Sequence, residues 1–135
     1  MKRALRPLAR GFAIGLVYLV SSASAQADPA AASRYYEDGL QRFEQHDLAG
    51  AIIQLKNALQ EDRNMLAAQL LLAQAYLRDG DVGPAEVTFR EALRLGVSRA
   101  EVAVPMARIY LLQGRPKLLL ESVSAEGLPG PEKLQ

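Results

Sequence analysis

The sequence has no cysteine and no tryptophan, and only one histidine, His46. Without cysteine there is no disulfide, no thiolate metal site, no thiol nucleophile and no lipidated cysteine. One histidine excludes a multi-histidine metal site. Aromatics make up 6% of the chain, and Val, Ile and Thr are scattered without sustained apolar/polar alternation, so strand signals are weak. Gly80 and Gly83 lack the lysine and the strand context of a phosphate loop. Ser33, Ser98, Ser122 and Ser124 have no histidine within reach at any plausible spacing, which leaves a serine triad unsupported. The acidic pairs Glu37-Asp38, Glu61-Asp62 and Asp79/Asp81 are expected at helix ends, where capping and solvation would account for them. His46 sits in a turn beside Asp47, which is placed to cap a helix, so it reads as a solvated turn residue rather than a general base. The residues thus point to no catalytic group, no metal site and no cofactor.

Negative charge is absent from the N-terminus and in slight excess after it. Of sixteen basic residues, Lys2, Arg3, Arg6 and Arg10 precede any acid, and the first acid is Asp28. The chain after residue 27 carries twelve basic and fifteen acidic residues, a net charge of −3. A weakly acidic body is a poor match for nucleic acid, which needs a basic stripe to neutralise phosphates. The basic start is followed by an apolar run from Gly11 to Val20 and then by small residues, with Ala25-Gln26-Ala27 as an A-x-A site and Ala23-Ser24-Ala25 as an alternative. That pattern predicts an export signal over residues 1–27, cleaved after Ala27. Ten helical residues reach only about 15 Å, against a hydrocarbon core of about 30 Å, so the run is too short for a membrane anchor. Contact with a membrane is expected only through this segment before cleavage.

The rest is rich in Ala and Leu, and half the whole chain is hydrophobic, which suits helices. Within it a spacing recurs. Asp47, Ala51, Leu55, Ala58 and Leu59 reappear as Asp81, Ala85, Phe89, Ala92 and Leu93; each offset is 34. Ala73, Tyr76, Leu77 and Gly80 reappear as Ala107, Tyr110, Leu111 and Gly114, again at 34, and Gly39 precedes Ala73 by the same step. A fixed period of 34 predicts stacked helix-turn-helix units. Small residues at Gly39, Ala73 and Ala107 would let a second helix approach through Ala51 and Ala85, with Leu55 and Phe89 filling the space one turn on. Glycine at position 80 tolerates a left-handed helix end, and Asp47 and Asp81 would cap the helices that follow.

Six helices are expected: Ala30 or Ser33 to Gln45, with Asp28-Pro29 able to cap an earlier start; Leu48 to Glu61; Met65 to Arg78 capped by Asn64; Val82 to Leu95; one opened by the Ser98–Glu101 capping box and ending near Gln113; and a short Lys117 to Val123. Pro105 falls inside the fifth and should bend it. Units are expected over about 32–65, 66–98 and a partial 99–124, within a repeat domain at 28–124. The tail at 125–135, with two glycines and two prolines, is expected to be disordered.

On these residues the chain resembles the tetratricopeptide repeat family, over roughly residues 33 to 124. It departs from that family in having Tyr35 and Gln69 near the usual first-helix tryptophan, and Arg63 and Val97 at the usual proline. The resemblance implies an all-α fold, helical hairpins stacked as a short right-handed superhelix. It implies a concave face lined by the first helix of each unit that receives a protein or peptide. Carried over by offset, that face presents Tyr36, Leu40, Phe43, Glu44, Leu70, Gln74, Arg78 and Arg108, with the two arginines available to carboxylates. Tyr76 and Tyr110 recur at the period, which marks them as packing residues. The segments "AIIQLKNALQED", "LLLAQAYLRDGD" and "ALRLGVSRAEVAVPMARIYLLQGR" are similar to the exported tetratricopeptide proteins of the exosortase/PEP-CTERM system. That likeness implies a non-enzymatic role in protein sorting or exopolysaccharide export, in the periplasm or envelope of a Gram-negative bacterium.

The last unit is degraded: the repeat calls for alanine at 119 and 126, and the chain has Leu119 and Glu126. Leu118, Leu119 and Leu120 form an apolar run with no helix after it to cover it. Two readings follow. Either the chain is a fragment of a longer array, or the run pairs with a partner or a second copy.

Overall fold

The structure, a computed structural model, describes residues 28–125, with side chains through Glu121. The expected export signal lies outside the described residues, as does the tail expected over 125–135 except Ala125, which belongs to the last helix. Six helices follow one another: α1 (Pro29–Glu44), α2 (Leu48–Glu61), α3 (Leu66–Asp79), α4 (Val82–Arg94), α5 (Arg99–Leu112) and α6 (Pro116–Ala125). The fold is all-α, built of helical hairpins α1/α2, α3/α4 and α5/α6. Each second helix also packs on the first helix of the next unit, and the first helices touch in the row α1–α3–α5.

Helix starts follow local chemistry. Asp28 caps α1 by accepting from the N–H groups of Ala30 and Ala31 at 2.9 and 3.1 Å, and Pro29 takes the first helical position, where its missing N–H costs nothing. Ser98 caps α5 by accepting from the Glu101 N–H at 3.3 Å. Two expected caps are corrected. Asn64 does not cap α3; Met65 holds that position with no side-chain bond, and the Asn64 N–H instead donates to Asp62 Oδ1 at 2.9 Å, closing a local turn. Asp81 has the same cap backbone as Asp47, with φ/ψ of −79/71 against −79/74, yet its carboxylate makes no cap bond. Asp47 accepts at 3.0 Å from the N–H of Gly50, three residues on. The equivalent residue after Asp81 is Pro84, which has no N–H to give.

Helix ends use the left-handed conformation. Gly80, Gly96 and Gly114 have φ of 91°, 110° and 67°. His46 takes the same place in the first unit with φ 64°, the one non-glycine residue at positive φ among the described residues. α6 is longer than expected, running from Pro116 to Ala125 rather than from Lys117 to Val123. Proline suits its first turn, and no helix breaker precedes Gly127. α5 continues through Pro105, which leaves the Glu101 carbonyl without its i+4 donor.

Two cores form, each shared by three helices. The first joins Phe43 of α1, Ala51, Leu55 and Ala58 of α2, and Ala68, Leu71, Leu72 and Ala75 of α3. The second joins Ala73 and Leu77 of α3, Ala85, Phe89 and Ala92 of α4, and Val102, Met106, Ile109 and Tyr110 of α5, with Val97 between them. α3 therefore has a backward face and a forward face, and Tyr76 packs against both cores. Leu55 and Phe89, 34 residues apart, are fully buried at equivalent places. Close approach in the first hairpin is made against Leu55 rather than Ala51. A Cβ added to Gly39 would lie 2.9 Å from Leu55 Cγ and 3.4 Å from the Leu55 backbone nitrogen, so glycine sets how near α1 and α2 can come. Leu118 and Leu119 are half-buried against the second core, while Leu120 is exposed, so two of the three leucines in the expected free run are already packed.

Candidate interaction surface

The first helices form a row, and the residues singled out for the groove fall on it: Tyr36, Leu40, Phe43 and Glu44 on α1, Leu70, Gln74 and Arg78 on α3, and Arg108 on α5. They divide by burial. Glu44, Gln74, Arg78 and Arg108 are exposed. Tyr36 and Leu40 are half-buried against the first core, and Leu70 is half-buried against the second. Phe43 is 7% exposed and belongs to the first core. The Arg78 guanidinium lies over its ring, 4.2 Å from the centroid, tying α3 to α1 by a cation–π contact. What solvent meets along the row is therefore a polar and charged set on a half-apolar base. Arg78 lays its flat face on Phe43, an arrangement that leaves the guanidinium N–H edges clear of the ring.

Two polar networks brace the units. At the first turn Arg42 donates from Nε to both Asp38 oxygens at 3.2 and 3.1 Å, and from Nη1 to Asp47 Oδ2 at 3.0 Å. The Gly50 N–H and, secondarily, the Arg42 guanidinium hold the Asp47 carboxyl below its ordinary pKa. Its hydrogen bonds to Asp38 and Asp47 raise the Arg42 pKa in turn. The second network centres on Glu86, which is 8% exposed. Its carboxylate takes the Arg90 Nη2 at 2.6 Å, the Gln113 Nε2 at 2.8 Å and the Arg115 Nη1 at 3.2 Å. Arg115 also donates to Gln113 Oε1 at 3.0 Å. A buried carboxylate with three donors ties α4 to the turn between α5 and α6. The sequence reading passed over this site. Its signal is a departure from the period, since Glu86 takes the register of Ile52.

A cleft of about 580 Å³ opens between α4 and α5, lined by Leu93, Val97, Val102 and Met106 with Arg90, Arg94 and Arg99 at its rim. Arg94 is held by Glu91 through bonds of 2.6 and 2.8 Å, and Arg90 by Glu86, so two of the three rim charges are already matched. Among the described residues there is no group of three or more His, Cys, Asp or Glu side chains placed to hold a metal ion. No described helix is long and apolar enough to cross a membrane.

Residues 42–103, from the last turn of α1 to the first half of α5, match a family model described as Tetratricopeptide repeat. The fold is that of tetratricopeptide repeats. The match supports a tetratricopeptide repeat family for the chain, and tetratricopeptide repeats suggest a scaffold for protein–protein interaction. Comparison with curated proteins finds no match. In tetratricopeptide terms α1, α3 and α5 are the first helices of three successive units.

Proposed function

We propose that this chain is a non-catalytic scaffold that holds an extended peptide or a helix of a partner protein along the row α1–α3–α5. The observation that carries the reading is the exposed set Glu44, Gln74, Arg78 and Arg108 on successive first helices, beside Tyr36, Leu40 and Leu70, which are half-buried against the cores. Tyr36, Leu40 and Leu70 add a half-apolar base, and Arg78 and Arg108 supply two cationic points for acidic groups of the ligand. The similarity of three sequence segments to exported proteins of the exosortase/PEP-CTERM system supports a place in the periplasm or envelope, in protein sorting or exopolysaccharide export. An alkaline phosphatase fusion to residues 1–40 tests export: activity supports it, and its absence rejects it.

Affinity capture from envelope extracts tests the binding. The chain is used as bait beside the double reversal Arg78→Glu/Arg108→Glu. The reading expects a protein retained by the first bait and lost from the second while helicity is kept. Retention of the same proteins by both baits rejects the groove.

A further inference from the structure

The repeat register shows how the seam between α4 and α5 departs from the seam between α2 and α3. The cleft of the later seam is lined by Val97 and Ala103, whose equivalents 34 residues earlier are Arg63 and Gln69. In the first unit the register of Ala103 holds Tyr35. At the later seam a long side chain has thus given way to a methyl, and a charged one to valine. The space there, about 580 Å³, falls in the range of about 300–1,000 Å³ usual for small-ligand sites. Its walls are apolar, from Leu93 and Val97 on one side to Val102, Ala103 and Met106 on the other. The mouth has changed in the opposite sense. Arg90, Arg94 and Arg99 take the registers of Lys56, Gln60 and Met65, so two arginines are gained. No acid stands among the described residues that line the cleft. Glu86 meets Arg90 and Glu91 meets Arg94, but no described residue gives Arg99 an ion pair or a hydrogen bond.

We infer that the cleft between α4 and α5 binds a small carboxylate with an apolar body, of the kind a medium-chain fatty acid presents. The apolar chain lies against Leu93, Val97, Val102 and Met106, in the room that Ala103 leaves. The carboxylate stays at the mouth, where Arg99 receives it and Arg94 stands on the facing helix. A guanidinium offers a planar fork that matches two carboxylate oxygens, and Arg99 can turn it to a ligand without breaking an ion pair to any described residue. Three arginines and no lining acid favour an anion over a neutral or cationic head of the same length. What the register lacks is one side chain, so a single apolar group fits better than a helix. The site is separate from the partner row, since Glu44, Gln74, Arg78 and Arg108 do not line it.

Calorimetric titration of the full chain with dodecanoate tests this. The expected result is one site with a Kd of about 100 μM or tighter. Arg99→Gln should weaken binding at least about fivefold with helicity unchanged, because Arg99 is exposed and its charge is what the ligand meets. Ala103→Phe returns an aromatic ring to the register of Tyr35; it should fill the cleft and weaken binding at least about tenfold. Leu111→Ser, at an exposed apolar residue outside the cleft, should leave the affinity unchanged. Dodecyltrimethylammonium, with the same chain and a cationic head, should bind at least about tenfold more weakly than dodecanoate. No binding of dodecanoate, equal binding of the two amphiphiles, an affinity indifferent to Arg99→Gln or to Ala103→Phe, or an equal loss with Leu111→Ser would each overturn the inference.

Discussion

At one register α1 carries Arg34, Asp38 and Gln41, and α5 carries Val102, Met106 and Ile109; at another, α3 carries Ala73 and Leu77, and α5 carries Ala107 and Leu111. The first pair of rows differs in chemistry, while the second differs only in burial. Comparing them separates two causes of exposure that a single structure usually mixes. Gln41 is exposed because the chain placed a polar group at a core position. Leu111 is exposed because the position is a core position over which no described residue is laid. Period alone makes that distinction, since each residue has equivalents whose surroundings are complete.

The contrast is broken most severely at Ile109, which is fully buried. Ile109→Ala should cost about 2–5 kcal/mol of unfolding free energy in urea. Gln41→Ala, the same register on the polar end, should change it by less than about 0.5 kcal/mol. Equal losses would mean that α1 and α5 do not occupy equivalent places.

A smaller effect is expected in the closeness of the hairpins. Gly39→Ala forces a methyl to within 2.9 Å of Leu55 Cγ and should cost about 1–3 kcal/mol despite alanine's better helix propensity. Restoring room with Gly39→Ala/Leu55→Val should recover part of that loss, whereas at Ala73 the repeat already accepts the methyl.

The two capping aspartates sharpen the comparison further. Asp47→Ala should lower Tm at pH 7, because it removes the bond from Gly50 and the pair with Arg42. Asp81→Ala should leave Tm nearly unchanged. The Asp47 carboxyl is held below its ordinary value, so its contribution is present above the unfolded carboxylate pKa of about 4 and fades as pH falls through the lowered folded value. The gap between the Asp47→Ala protein and the parent should therefore narrow in acid.

The smallest effect is a gain. His46 holds a left-handed conformation that its equivalents Gly80 and Gly114 reach without strain. His46→Gly should raise stability by at most about 1 kcal/mol, since relief of strain is offset by the larger backbone entropy glycine loses. A fall in Tm would show that the imidazole makes a contact that matters.

Much of this architecture was legible in the residues, and the gaps have physical causes. The period of 34 gave the hairpins, the buried Leu55 and Phe89, and the glycine turns, because those depend on side-chain size at fixed spacing. Sequence points to a cap at Asp81 because it shows the acceptor; the donor three residues on is as necessary, and Pro84 has none. The Glu86 network was missed because its partners, Gln113 and Arg115, are 27 and 29 residues away and follow no period. Phe43 looked open for a ligand because offset places it on the first-helix row. It is closed by Arg78, 35 residues on, a contact one step out of the repeat. The expected export signal and all of the expected tail but Ala125 lie outside the described residues.

Sharing each core among three helices has a consequence for synthesis. A ribosome releases the chain from its N-terminus, so α1 and α2 emerge as a pair whose greasy side stays bare until Ala75 has left the exit tunnel. The next pair waits in the same way for Tyr110. The nascent protein thus always shows one unsatisfied edge, which advances along the message as translation proceeds, and a chaperone watching for it would find it at every stage of growth.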